Sequence, residues 1–452
     1  MNAVKKEHYV PLINNKAEWL EKIPGHWKQK RLKELVFIQN SNVDKKSYDG
    51  ESPIRLCNYV DVYKNEFITE KLSQDFMPST ASDFEIKKFR IKKNDVLITK
   101  DSETADDIAV PALVLNTLDD VVCGYHLAQI RSNHKHFHGP YLFRLFQSKD
   151  YGFRFETSAK GITRVGLGQA AIADAITPVP PLNEQTIIAE YLSSKTMLID
   201  KKVDLLNQKA AQYAKLKQSL INESVTRGLN KFVPLKDSGV GWIGQIPAHW
   251  ELKRIKEVCD INKKTLSEKT SAKYEFDYVD IGSVTYGERE YTKERMTFDV
   301  APSRAKRIVK KGDTIISTVR TYLKAIATID TEVKDLIVST GFAVVTPKRT
   351  VAEKYCSYFL TSNCLVDEIC ALSTGVSYPA TNATVIGDLF ILIPPFEEQV
   401  SIGVFLDEKT RKTDRIIKSI TDQIEKLKEL RKTLINDVVT GKIKVSGEGN
   451  LI

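Results

Sequence analysis

The chain has 452 residues, and 67 Lys and Arg against 58 Asp and Glu (67 − 58) leave a net charge of +9 with histidine neutral. Hydrophobic residues at 42% and charged residues at 28% exclude a disordered or fibrous chain and leave material for two to four folded domains. The apolar stretches Leu336–Val345 and Ile386–Phe396 fall far short of the ~20 residues a membrane-spanning helix needs, so no membrane is expected as a partner.

No apolar core follows Lys5, Lys6 and Glu7, so no secretory signal is expected and the cytoplasm is the expected location. Cys57, Cys123, Cys259, Cys356, Cys364 and Cys370 are scattered, with no two three apart as a zinc knuckle or redox pair requires, and read as buried or neutral thiols in a reducing compartment. The positive sign favours an acidic partner such as DNA.

In chain order, the first recognisable element returns later. Residues 19–36, WLEKIPGHWKQKRLKELV, realign with 242–259, WIGQIPAHWELKRIKEVC, at an offset of 223 (242 − 19). Trp19, Ile23, Pro24, His26 and Trp27 fall on Trp242, Ile246, Pro247, His249 and Trp250, and Val10-Pro11-Leu12 falls on Val233-Pro234-Leu235. Further on, RIKKNDVLIT (90–99) matches RIVKKGDTIIST (307–318) and places Asp95 on Asp313. PPLNEQ (180–185) then matches PPFEEQ (394–399), and LINESVT (220–226) matches LINDVVT (434–440), both at offset 214 (394 − 180). The chain is therefore written twice, with the length difference taken up in loops.

Each copy opens with short β-rich runs at Asp95–Thr99, Val121–Ile130, Thr314–Thr318 and Ile337–Val345, and with helical segments at Tyr141–Phe146 and Ala352–Thr361, the mixture of an α+β domain. Each copy then continues as a helix of more than forty residues without proline. Leu192, Ile199, Leu206, Tyr213 and Leu220 recur every seven residues, flanked by Ile188, Val203, Ala210 and Leu216. Leu406, Thr413, Ile420, Leu427 and Leu434 repeat the spacing, flanked by Ile402, Ile417, Ile424 and Leu430. Two aligned seven-residue stripes predict a coiled coil in which each helix is the other's partner. About forty residues at 1.5 Å each span roughly 60 Å, nearly two turns of B-DNA.

With Pro-Pro-x-x-Glu-Gln twice before a long helix and Ile-Pro-x-His-Trp twice at a domain start, the chain resembles the DNA-specificity subunit of type I restriction–modification enzymes over nearly its whole length. The resemblance implies an α+β fold with two homologous target-recognition domains separated by two long antiparallel α-helices that form a coiled-coil spacer, a pseudo-two-fold internal duplication. The expected divisions are a first recognition domain with its N-terminal segment at 1–181, a first long helix at 182–228, a linker and second recognition domain at 229–395, a second long helix at 396–441 and a tail at 442–452. It also implies that each domain reads one half of a bipartite double-stranded DNA target. The helices would dock two methyltransferase subunits, and a motor and nuclease subunit would join them. S-adenosylmethionine would belong to the methyltransferase partner and ATP with magnesium to the restriction partner, with no cofactor in this chain.

The residues themselves carry little catalytic chemistry. Ile393-Pro394-Pro395-Phe396 has the spacing of an adenine methyltransferase turn but an isoleucine where the hydrogen-bonding side chain must be, and Val179 stands there in the first copy. Gly166-Leu167-Gly168 lacks the third glycine of a dinucleotide loop, and no phosphate-binding Gly-Lys-Ser/Thr loop occurs. Glu85-Ile86-Lys87 with Asp75 makes a poor nuclease triplet, and His134, His136 and His138 read as a polar loop before a phosphate contact or a metal site. Glu184 and Glu398 fit the first turn of a helix, where negative charge suits the dipole, and the His-Trp pairs fit a core.

Loops that differ between the copies are the best candidates for reading DNA, since the halves of a split site differ. In the first copy these are Lys100, Ser102, Thr104, Lys160, Thr163 and Arg164; in the second, Arg320, Tyr322, Lys324, Ser377 and Tyr378. Arg164 and Arg320 are the preferred base readers, because Arg can bond guanine bidentately. The sequence thus points to a non-catalytic DNA-specificity subunit. A self-sufficient methyltransferase or nuclease, or a duplicated protein-interaction scaffold without DNA binding, are the alternatives.

Overall fold

In the computed structural model, residues 12–14, 22–285 and 291–445 are described; Val10, Pro11, Trp19 and most of the tail at 442–452 lie outside the described residues. Contacts divide the chain into two compact units, one formed by the residues up to Leu206 with those from Asp422 onward, the other by Asn207–Thr421. Among the described residues no helix is long and apolar enough to cross a membrane.

The first unit holds a five-stranded sheet in the order Val36–Asn40, Leu127–Ser132, Val96–Thr99, Pro111–Val114, Phe67–Ile68. A three-stranded sheet in the order Val121–Cys123, Ser52–Cys57, Met77–Ala81 accompanies it. In the second unit the corresponding sheets run Cys259–Ile261, Phe342–Pro347, Thr314–Ser317, Ile326–Thr328 and Glu294–Thr297, Glu275–Val279, Leu336–Ser339, Ala305–Ile308. The strands Val96–Thr99 and Thr314–Ser317 are buried at all four positions, as unbroken apolar runs predict.

Two predicted runs need correction. Val121–Ile130 and Ile337–Val345 are not single strands: each is cut by a turn, at Gly124-Tyr125-His126 and at Thr340-Gly341, where the chain passes from one sheet to the other. A side chain at Gly124 would stand 2.8 Å from the Cys57 carbonyl, so the turn itself is tightly packed.

The long helices are Leu182–Arg227 and Phe396–Val439. Leu192, Leu406 and Ile420 are buried, and Ile199, Leu206, Tyr213, Leu220, Leu427 and Leu434 are half-buried, so the seven-residue stripe is the inward face. Leu216 and Leu430 are instead 61% and 53% exposed. The alternate inward position after Tyr213 and Leu427 is four residues on, at Lys217 and Arg431, whose charges are paired across to the other helix. In the first unit Arg431 Nε lies 2.9 Å from Asp200 and its Nη2 2.6 Å from Glu66. In the second unit Lys217 Nζ lies 2.6 Å from Asp414. The 214-residue offset puts Asp200 on Asp414 and Lys217 on Arg431, so the duplication repeats the ion pair with its helices exchanged.

Each core is completed by the end of the other copy's helix. Ile435, Val438 and Val439 pack with Ile23, Trp27 and Tyr141 in the first unit, and Ile221 and Val225 with Ile246, Trp250 and Tyr355 in the second. The repeated motifs make these joints. The Gln185 amide accepts the His138 N–H at 2.8 Å and donates to the Pro180 carbonyl at 2.9 Å; Gln399 does the same for Ala352 and Pro394, at 2.9 Å each. His26 pairs with Glu184 at 2.9 Å and His249 with Glu398 at 2.8 Å, tying each domain start to the first turn of its helix. Asn436 Oδ1 accepts the Asp150 N–H at 3.1 Å, and Asn222 Oδ1 accepts that of Asn363 at 2.8 Å, so the LIN segments satisfy backbone donors at helix starts.

Candidate nucleic-acid interface

Beyond the buried strands Val96–Thr99 and Thr314–Ser317 the chain leaves the sheet, and a second hairpin is pinned beside it. In the first unit Lys100 N donates to the His126 carbonyl at 3.1 Å and Leu167 N to the Lys100 carbonyl at 2.8 Å. Lys160 and Gly166 exchange bonds of 3.1 and 2.9 Å, closing the hairpin. In the second unit Thr318 N donates to the Gly341 carbonyl at 2.8 Å, Thr381 N to the Thr318 carbonyl at 2.7 Å, and Thr374 and Ala380 exchange two bonds of 2.9 Å. The loops that diverge in sequence are thus brought together within each unit, on one backbone frame.

The side chains on that frame differ. In the first unit Arg164 Nη2 lies 2.7 Å from Asp101 Oδ1, and the other oxygen of Asp101 lies 2.6 Å from His126 Nδ1. This carboxylate aims a half-exposed guanidinium, and Lys160 and Thr163 are exposed beside it. In the second unit Val319 and Gly341 replace Asp101 and His126, and the Arg320 guanidinium instead lies 4.8 Å from the centre of the Tyr378 ring, a cation–π contact. Arg320 holds a left-handed backbone (φ 50°), and Tyr322, Ser377 and Tyr378 are exposed around it.

Three candidates sit differently from expectation. Ser102 is 4% exposed, because it pairs with Val165 in a short strand and faces Tyr59, so it is held inside the loop and not displayed on its surface. Thr104 is exposed two residues beyond the strand Asp101–Ser102, between Glu103 and the turn Ala105–Asp107, where the local charge is negative. Lys324 Nζ is 2.7 Å from Asp367, so its charge is already engaged with the helix Asn363–Ala371.

Residues that loop divergence does not mark stand next to the first hairpin. Ser41, Asn42, Asp44, Lys45, Lys46 and Tyr125 line a surface cleft of about 580 Å³ with Lys100, a place where three lysines face solvent together. A sequence signal for them exists: Lys45-Lys46 falls on Lys263-Lys264 at offset 218 (263 − 45), the same offset as Asp95 on Asp313. That shared pair of aspartates closes a turn before the strand. Asp95 binds Arg131 at 2.7 Å, whereas Asp313 accepts from Thr346 Oγ1 at 2.7 Å and has its carboxyl pKa pushed up by burial.

The weaker chemical candidates have structural explanations. Glu85 accepts the Ser82 N–H at 3.1 Å and caps the helix Asp83–Phe89. His134 and His136 are exposed, while His138 is half-buried at the N-cap of Gly139–Phe146, burial lowering its imidazole pKa. Among the described residues no group of three His, Cys, Asp or Glu could hold a metal ion.

Two segments of the chain, 24–212 and 247–426, match the model of the type I restriction modification DNA specificity domain. The chain belongs to that family. It is a DNA-specificity subunit, and the duplicated frame is a pair of such domains. It is 22% identical over 439 residues to the type I restriction enzyme MjaVIII specificity subunit of Methanocaldococcus jannaschii, covering 94% of each chain. With the EcoBI specificity subunit of Escherichia coli it shares 21% over 303 residues, 63% of this chain and 62% of that one. Among solved structures, a chain from work on complex assembly and conformational transition of the type I R-M system aligns at a TM-score of 0.67 with 18% identity, covering 92% of this chain and 98% of that one. The HsdS subunit from Thermoanaerobacter tengcongensis aligns at 0.50 with 18% identity over 93% and 98%. These two likenesses show the fold.

Proposed function

We propose that each α+β lobe reads one half of a bipartite double-stranded DNA site through its hairpin and the adjoining strand-end loop. Arg164 aimed by Asp101, with Lys160 and Thr163, serves the first half; Arg320 stacked on Tyr378, with Tyr322 and Ser377, serves the second. Lys45, Lys46 and Lys100 hold phosphates, which position a protein on a duplex without reading its sequence. The carrying observation is that one set of backbone hydrogen bonds displays different side chains in the two units, the arrangement that lets one fold read two sequences.

In this reading the chain catalyses nothing. It works in the cytoplasm with two methyltransferase subunits on its long helices and with motor and nuclease subunits, and S-adenosylmethionine, ATP and magnesium serve those partners. The similarity to specificity subunits along almost the whole chain supports it.

The test is to purify the chain alone and with the methyltransferase encoded beside it, then measure duplex binding against salt together with methyl transfer. Salt-sensitive, sequence-selective binding, with transfer only in the presence of the partner, supports the reading. Transfer or cleavage by the chain alone would show an enzyme, and the absence of salt-sensitive, sequence-selective duplex binding would leave a protein scaffold.

A further inference from the structure

At the apex of the two hairpins stand Gly161-Ile162-Thr163-Arg164 and Gly375-Val376-Ser377-Tyr378. Both glycines have positive φ, 143° and 115°, and a side chain at Gly161 would stand 1.9 Å from the Arg164 carbonyl, so the turn is too tight for any other residue. What it displays is Ile162 at 103% and Val376 at 102% exposure, each a branched aliphatic side chain with no protein cover at all. Around them the two hairpins diverge: Lys160 becomes Thr374 and Arg164 becomes Tyr378. Burial in the fold cannot account for an aliphatic apex kept at the same place in both copies, because neither side chain is buried.

The surroundings say what covers it. Lys160 and Arg164 flank the first apex, the three-lysine cleft adjoins the base of that hairpin where Leu167 N bonds the Lys100 carbonyl, and Arg320 over Tyr378 flanks the second apex, which is complementary to a phosphate-edged surface. The major groove is wide enough to admit a two-stranded element, and each hairpin is a loop closed by one antiparallel bridge, Lys160 with Gly166 and Thr374 with Ala380. In that groove the one apolar feature of a base edge is the thymine methyl group. We propose that Ile162 and Val376 enter the major groove, one in each half-site, and pack against a thymine methyl. Each half of an adenine-methylated site contains such a methyl, opposite the target adenine. The proposal rests on the DNA-reading function above and adds to it the residues that penetrate deepest and the group they touch.

The test uses the full chain in complex with its methyltransferase. The probes are a duplex carrying the methylated motif, the same duplex with each thymine in turn replaced by deoxyuridine, and a scrambled duplex of equal length. Ile162→Ala is expected to weaken binding of the motif roughly tenfold, the scale of a single base contact, and to leave the scrambled duplex unchanged. One uridine in the first half-site costs the parent protein a similar factor and costs Ile162→Ala nothing further; Val376→Ala behaves likewise in the second half, and Ile162→Val restores the first. Both side chains are fully exposed, so an unchanged melting temperature confirms that folding is intact. Unchanged preference for the motif in both alanine variants, or equal loss on motif and scrambled DNA, would overturn the proposal. A parent complex that does not distinguish motif from scrambled duplex would overturn the DNA-reading function and the proposal with it.

Discussion

Replacing Gln399 by Leu removes a joint that holds the second lobe to its long helix. Gln399 is 1% exposed, its Oε1 accepting the Ala352 N–H and its Nε2 donating to the Pro394 carbonyl, both at 2.9 Å. Leucine has nearly the same volume, so no cavity opens, but it leaves one buried donor and one buried acceptor unpaired. Each such group costs about 1–3 kcal/mol, offset by roughly 1 kcal/mol from the added apolar surface, which gives a net loss of about 1–5 kcal/mol. For a unit of this size that is a fall in melting temperature of roughly 2–20 °C. Gln185→Leu repeats the experiment in the first lobe, where Gln185 is 0% exposed and bonds His138 and Pro180 at 2.8 and 2.9 Å. Calorimetry of each single variant and of the double variant is the assay, with the two losses expected to add. A fall below about 2 °C in either single variant would refute the reasoning, since it would mean the buried amide satisfies nothing that water or a shifted helix cannot.

Other perturbations read the interface and the core. Arg164→Ala should cost about 1–3 kcal/mol on the cognate duplex and relax one position of one half-site; Asp101→Ala should do the same in weaker form by freeing the guanidinium, and uniform weakening on every sequence would instead make Arg164 a phosphate contact. Alanine at Lys45, Lys46 or Lys100 should weaken all duplexes alike and reduce the slope of log affinity against log salt by about 1 for each phosphate no longer neutralised, which a salt titration checks. Burial raises the Asp313 pKa in the fold, so the folded state holds its proton more tightly; the contribution of this group to stability is fully present below the ordinary carboxylate range and is lost as pH rises through the raised value. Asp313→Asn should therefore gain on the parent protein as pH increases through that window, and a parallel shift of both melting curves would contradict it.

The duplication, the lobe–helix alternation and the inward stripe are legible because they are periodic, and periodicity survives in a bare sequence. Partner choice is not. The repeated LIN segments announce that Asn222 and Asn436 do the same work, but nothing in their spacing says that each does it for the other copy's lobe. The stripe likewise hides Lys217 and Arg431, since a charged residue on an inward face is recognisable only beside the acid that pairs with it. Leu216 and Leu430 mislead for the complementary reason: hydrophobicity alone does not tell a seam residue from its exposed neighbour.

At the candidate interface, divergence between copies marks loops that the fold brings together in each unit, because a shared frame with different side chains leaves that mark. It cannot tell exposed from buried positions within a loop, so it picks out Ser102, which is buried, and passes over Lys45 and Lys46, which line the cleft. The role of Asp101 depends on a strand pairing between distant residues, Asp101 with Gly166, and local pattern carries no trace of it.

If two lobes of one chain read two halves of one site, each lobe leaves its own mark on the methylation of the host genome. The most direct test maps N6-methyladenine across the host genome with and without this gene, and again with Arg164→Ala and Arg320→Ala in its place. Loss of methylation at a single two-part motif with a fixed spacer is expected when the gene is removed, with relaxation in one half for Arg164→Ala and in the other half for Arg320→Ala. Methylation unchanged by removal of the gene, or both variants altering the same half, would contradict it.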